Sequence, residues 1–444
     1  MTLIVTQQPF LLSKMTISQR LEVENVVSER PVIVVGFVPA ALASLAEFRP
    51  DGSVILIEEP DVVRKRGIRA ATGDAAVVRE LIEWEYQSPG AADEFFVRHG
   101  GMRPVAVAAI QEYGTPFAAR LAERFGLPGA GLGAVQLLRD KSLLRKVTRA
   151  AGVANPASAE VVGPEQVRAF MAAHSGPAIL KPANRQAAVG TRILHSLAEV
   201  GSAWQECIVQ DEGVYVPDRP VPLRMLVEEC VRGSEYSVEM LVDDGAPLFR
   251  NVTAKSLFPG PRPVELGHLV PAAVPDAVRT LLCEQTERVL RAIGFGTGIV
   301  HCEWIVSDGT AYLVECAGRW AGDGIMELIE RAYPVALVRG FWSLMMGETP
   351  VGPFPDRAEQ AVAVRFLSVD AGVVESVHGT EEATALPGVV SCDITVRPGD
   401  ETHEVRSSWD RAGRAIACAR TGAEAEQRAE EALRRIEVKI RPHR

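Results

Sequence analysis

Glu303 and Glu315 lie in "GTGIVHCEWIVSDGTAYLVECAGR", two strand-like runs joined by the turn SDG. Twelve residues separate the two glutamates, about six per strand, so a hairpin folds their carboxylates toward each other. Converged carboxylates repel unless a cation joins them, and Mg²⁺ takes one or two protein carboxylates together with nucleotide phosphates. Arg319 follows Glu315 by four positions. A buried carboxylate needs a compensating partner, so the spacing leaves two readings. In one, Glu315 meets a metal and Arg319 faces a substrate. In the other, Arg319 merely neutralises Glu315.

Two lysines add cationic chemistry. Lys181 in "AILKPAN" ends an apolar run and precedes a proline, which places an ammonium at the end of a buried strand, facing a loop. That loop, "PANRQAAVGTRIL", is built of small residues with Gly190 near its end, so backbone amides can approach phosphate oxygens. A single glycine makes this a weak signal. Lys141 in "LLRDKSLLRK" reads, taken alone, as an ordinary solvated lysine. The stretch "LRMLVEECVRGSEYSVEMLVDDG" reads as a hairpin with charged edges that turns at Arg232 and Gly233.

These residues need elements to hold them. "PVIVVGFVPAALASLAEF" and "SVILIEEP" open a parallel α/β sheet, and Gly36 stands without the further glycines of a dinucleotide fingerprint. "VAVAAI" is a further strand, and the helix in "TPFAARLAERFGLPG" closes on Gly126 and Pro128. "AVQLLRDKSLLRKVTRAAGV" reads as one helix that begins a nucleotide-handling unit, and the proline-rich "VGPFPDRAEQ" (351–360) ends it. Beyond it, "AVAVRFLSVDAGVVESV" and "VVSCDITVRPGDE" read as paired strands and "GAEAEQRAEEALRRIEVKI" as a last helix. Residues 1–25 read as a loosely held extension.

At 444 residues the chain fits two to four domains, and 23% charged with 47% hydrophobic residues is ordinary globular composition. The formal charge of −10 argues against broad contact with nucleic acid or anionic membrane. Seven cysteines without a CxxC pair suggest reduced thiols in a cytoplasmic protein. No apolar stretch is long enough to span a membrane.

The strand-end Lys181, the turn in "VEECVRGSE" and the Glu303/Glu315 hairpin, in this order, resemble the ATP-grasp superfamily over roughly residues 31–440. The resemblance implies an α/β protein of ATP-grasp fold. Residues 1–128 would form an N-terminal parallel α/β (pre-ATP-grasp) domain, 129–349 the ATP-grasp domain and 350–444 a small C-terminal α+β domain. It implies Lys141 and Lys181 on nucleotide phosphates, an adenine hinge around Glu228, Glu229 and Val231, Glu235 on the ribose, and Glu303 and Glu315 on Mg²⁺ or Mn²⁺. The superfamily commonly continues the second glutamate as E-x-N-x-R, whereas Ala317 stands here at the asparagine position and cannot ligate. The pattern from Glu315 to Gly322, with "VHCEW" and "VELGHLVPAAV", is similar to the L-amino acid ligases of the bacilysin type. That branch implies ATP-dependent joining of a carboxylate, such as an amino acid, to an amine through an acyl phosphate. Arg319 would serve the reacting centre, with Lys255 and His268 nearby. Small-molecule substrates and a homodimer are expected. Another ATP-grasp ligase or carboxylase, of the purine-pathway or biotin-carboxylase kind, and a nucleotide sensor without turnover remain as alternatives.

Overall fold

The computed structural model describes residues 30–208, 213–220 and 222–442; the extension read at 1–25 lies outside them. The chain divides into two compact units, residues 1–129 with 345–348, and residues 130–344 with 349–444.

In the first unit, strands β1 (Val32–Val35), β2 (Val54–Glu58), β3 (Val78–Glu83) and β4 (Ala106–Ala109) form a parallel sheet in the order β3-β2-β1-β4. β1, β2 and β4 are buried throughout, as apolar runs covered on both faces must be. The helix Thr115–Phe125 ends on Gly126 in the left-handed region, as its sequence predicts. The amide of Phe37, just after Gly36, donates to Glu58 Oε2 at 2.8 Å, so a carboxylate of the chain itself meets the amide of that turn.

The second unit holds three sheets. Strands β5 (Ser158–Val161), β6 (Ala178–Pro182), β7 (Arg192–Leu194) and β8 (Met225–Glu229) form a four-stranded sheet in the order β5-β8-β6-β7. Strands β9 (Ser234–Asp243), β10 (Ala246–Leu257), β11 (Glu265–Val270), β12 (Gly298–Ser307), β13 (Thr310–Ala317), β14 (Ala361–Leu367), β16 (Val389–Ile394) and β18 (Gly413–Ala419) form an eight-stranded sheet. Its order is β13-β12-β9-β10-β11-β14-β18-β16, so strands from beyond residue 350 continue the sheet that carries Glu303 and Glu315. β15 (Gly372–His378), β17 (Glu401–Thr402) and β19 (Glu437–Arg441) make the third sheet.

Four local readings change. β8 and β9 belong to different sheets, so "LRMLVEECVRGSEYSVEMLVDDG" connects two layers rather than folding as a hairpin. Gly233 is needed at that crossing because a Cβ there would lie 2.2 Å from Val306 O. The helix read over 134–153 is two, Leu132–Leu138 and Lys141–Ala150, because the Asp140 side chain caps the second by accepting from the amides of Ser142 and Leu143. β14 pairs with β11 and β18 rather than with β15, β16 or β17, although β15 does pair with β17. The last helix stops at Arg434, and Glu437–Arg441 is an edge strand whose alternating charges follow a period of two.

Candidate active site

The second unit brings most of the sequence-derived residues into two connected charge clusters. The first lies where β6 and β8 meet the helix Lys141–Ala150. The Asp140 cap sets Lys141 at the first turn, and 3.6-residue periodicity puts Arg145 one turn later on the same face. Arg145 Nε donates to Glu228 Oε1 at 2.8 Å, and Lys181 Nζ reaches Glu228 Oε2 at 2.5 Å. Arg145 and Glu228 are 1% and 2% exposed. Burial alone would raise the Glu228 pKa, but Arg145 and Lys181 outweigh it and bring it down to about 2. The Lys181 pKa is lowered too, which for a lysine disfavours the charged form. Burial and the nearby charges of Arg145 and Lys141 lower its pKa against the pull of Glu228, which it shares with Arg145. One buried carboxylate thus serves two buried cations, leaving a local surplus of positive charge.

Lys141 Nζ lies 2.8 Å from Glu315 Oε2 and 3.0 Å from the carbonyl oxygen of Arg185. The loop that starts at Arg185 turns on three left-handed residues, Ala187 (φ 56°), Ala188 (φ 58°) and Gly190 (φ 68°). Two alanines in this region cost energy that glycine would not. At Gly190 the requirement is also steric, since a Cβ would lie 2.7 Å from Cys207 O.

The second cluster occupies one face of the eight-stranded sheet. Alternation along β9 presents Glu235, Ser237 and Glu239, β10 presents Asn251, Thr253 and Lys255, and β12 presents His301 and Glu303. Register aligns them across the strands: Lys255 opposite Glu235, Asn251 and His301 opposite Glu239, and Glu315 opposite Glu303. The expected convergence of the two glutamates is therefore built by direct pairing. Lys255, 3% exposed, stands 2.7 Å from Glu303 and 3.3 Å from Glu265. Burial disfavours its charge, but Glu303, Glu265 and Glu235 outweigh burial and hold its pKa well above the ordinary lysine value. Burial, with Glu303 and Glu265 nearby, raises the pKa of Glu235. For Glu303, burial is outweighed by Lys255 and His301, and its pKa sits well below the usual carboxylate range.

His268 is on β11 opposite Lys255, and its Nε2 lies 2.8 Å from Asp323 Oδ2. Asp323 also pairs with Arg411, which stacks over the Phe366 ring at 3.7 Å. Arg319, on the turn after β13, donates from Nη1 to the carbonyl oxygen of Trp320 at 2.7 Å. At the expected hinge, Glu228 turns its side chain into the buried ion pair, while the amides of Glu229, Cys230 and Val231 bond to Ala157 O, Pro177 O and Glu229 O at 2.9, 3.0 and 3.2 Å. Arg145, Glu239, His301, Glu265, Asp323 and Arg411 were absent from the sequence-derived set. Polar residues at every second position of otherwise apolar strands were the available signal for Glu239 and His301.

A divalent cation fits the paired glutamates. Two register-paired carboxylates offer hard oxygen donors side by side, and in this structure Lys255 and Lys141 supply the positive charge that keeps them together. Among the described residues no group of three or more His, Cys, Asp or Glu is arranged to hold a metal alone, so a cation here would draw further ligands from phosphate or water.

Comparison with known proteins places these elements. Residues 174–327 match the ATP-grasp domain model, and residues 365–441 match the model of the L-amino acid ligase C-terminal domain 2. The chain is 26% identical over 393 residues to the protein y4rH of Sinorhizobium fredii (strain NBRC 101917 / NGR234), covering 88% of this chain and 78% of that protein. It is 25% identical over 263 residues to an alanine–anticapsin ligase of Bacillus subtilis, covering 55% of each, so the match spans about half of that ligase. The crystal structure of an L-amino acid ligase from Bacillus licheniformis superimposes with a TM-score of 0.74 at 17% identity, covering 93% of this chain and 99% of that one. Among the described residues no helix is long and apolar enough to cross a membrane. The chain thus carries, in order, a segment that matches an ATP-grasp domain and a segment that matches an L-amino acid ligase C-terminal domain.

Proposed function

We propose that the protein joins the carboxylate of an amino acid or similar acid to an amine, through an acyl phosphate, with conversion of ATP to ADP and phosphate. The observation that carries this reading is the buried Arg145–Glu228–Lys181 cluster, whose surplus positive charge lies beside Lys141 and the paired Glu303 and Glu315. Lys181 and Lys141 would take phosphate oxygens, offsetting charge on the transferred phosphoryl group. Glu303 and Glu315 would hold Mg²⁺, which supplies further electrostatic stabilisation to the phosphates when bound. Backbone groups around Glu228, Glu229 and Val231 would bind the adenine, and Glu235 would face the ribose. Arg319 would hold the acyl phosphate and the oxyanion formed as the amine attacks. Lys255 and His268, opposite each other on β10 and β11, would orient the carboxyl donor.

A matrix of amino-acid pairs assayed for ADP and phosphate release tests the proposal, with hydroxylamine trapping the acyl phosphate as a hydroxamate. ATP binding without ADP release for any pair would instead support a nucleotide sensor. Lys181→Ala is expected to abolish ATP binding or turnover in a folded protein, read by calorimetric titration and by activity; unchanged values for both would remove Lys181 from the phosphate site. Activity is also expected to vanish in excess chelator and return with Mg²⁺ or Mn²⁺. Glu315→Gln should raise the metal concentration needed for half-maximal rate, and a rate indifferent to chelator would refute the metal assignment.

A further inference from the structure

Glu239 is buried under the charged face and accepts from four donors: Ser237 Oγ at 2.6 Å, Asn251 Nδ2 at 2.7 Å, Thr253 Oγ1 at 2.7 Å and His301 Nδ1 at 2.9 Å. Asn251 is itself fixed, since Tyr333 Oη donates to its Oδ1 at 3.3 Å. A carboxylate with this many donors is an acceptor at every site, which settles the Nδ1 proton on His301. The other ring nitrogen, Nε2, faces Glu303 Oε1 at 3.1 Å. The imidazole therefore spans two carboxylates, one locked in the sheet interior and one at the site. Ala317 lies opposite His301 in the register and adds no polar group from the other side. The orientation of Glu303 is thus set from below by His301 and from the β10 side by Lys255.

We propose that Glu239 and His301 are positioning residues that hold the Glu303 carboxylate in one orientation for the divalent cation that accompanies the nucleotide. The proposal rests on the metal reading of Glu303 and Glu315 given above. A hydrogen-bonded partner behind a metal-binding carboxylate restricts its rotation and so lowers the entropy lost when the ion binds. The side chains that fix His301 come from three adjacent strands, so the orientation is inherited from the rigid sheet rather than from a loop.

The test titrates Mn²⁺ into protein saturated with ADP, reading free Mn²⁺ by electron paramagnetic resonance. ADP affinity in EDTA and thermal stability are measured on the same samples. Glu239→Gln places an amide donor among four donors, and His301→Asn keeps a group near the Nδ1 position but falls short of Glu303. Both should weaken Mn²⁺ binding by about tenfold or more, with ADP affinity in EDTA unchanged. His301→Gln carries its amide to the Nε2 position and should recover part of the loss. Thr253→Val removes one donor from Glu239 at nearly constant shape and should give a smaller loss, which serves where Glu239→Gln does not fold. Wild-type Mn²⁺ affinity in the folded variants, or an equal loss of ADP affinity in EDTA, overturns the positioning role alone. A wild-type protein that binds ADP without taking up Mn²⁺ overturns the metal reading and this role with it.

Discussion

Glu228→Gln should lower the free energy of unfolding by about 3–5 kcal/mol, because it leaves Arg145 and Lys181 buried without the carboxylate they share. The same pair predicts a pH dependence with a definite sign. The folded-state pKa of Glu228 is about 2 against an ordinary 4.5, so its contribution is fully present above the unfolded value and is lost as pH falls from 4.5 toward 2. A shift of that size corresponds to about 3 kcal/mol, in line with the mutational figure. Denaturant melts of both proteins across this range isolate the residue from the other carboxylates. The difference between wild type and variant should be largest at neutral pH and shrink on acidification. A difference that stays constant down to the acid limit would show that Glu228 stabilises through packing rather than charge.

Arg319→Ala should lower kcat by about 10²-fold or more with little change in ATP affinity, since a guanidinium at the reacting centre acts chiefly on charge that develops in the transition state. Arg319→Lys should remain clearly impaired, because an ammonium presents one point charge where the guanidinium presents a fixed fork. The structure sharpens the competing explanation, in which Arg319 only neutralises Glu315. Lys141 already lies 2.8 Å from Glu315, so removal of Arg319 leaves that carboxylate with an ammonium partner and should cost little thermal stability. Melting temperature and single-turnover rate on one preparation of Arg319→Ala separate the two. A markedly destabilised protein whose folded fraction turns over at the wild-type rate would refute the catalytic role.

The sequence by itself determined the features that depend on neighbours in the chain. The turn SDG places Glu303 and Glu315 in one hairpin, so their approach was legible from twelve residues of sequence, but the turn alone would set Glu303 opposite Val314, and it is a bulge between Glu303 and Trp304 that brings Glu315 opposite it. Lys181 was legible as the end of a buried strand, and the Gly126 stop of a helix was legible from its position after an amphipathic run. The break at Asp140 is also local: an aspartate within a helical pattern marks a new N-terminus when its side chain caps the next turn. The tertiary structure decided which charge meets which. Arg145 and Glu228 are 83 positions apart, His301 and Glu239 are 62 apart, and Asp323 and Arg411 are 88 apart. Alternation tells which face of a strand a side chain occupies, but not which strand lies beside it. Here β12 is inserted between β13 and β9, and β14 beside β11, an order set by long-range packing of apolar faces and not by adjacency in the chain. That order puts His301 between Glu239 and Glu303. In the four-stranded sheet β8 lies beside β6, and there the Glu228 carboxylate, read from sequence as part of a hinge, goes to the buried cations Arg145 and Lys181.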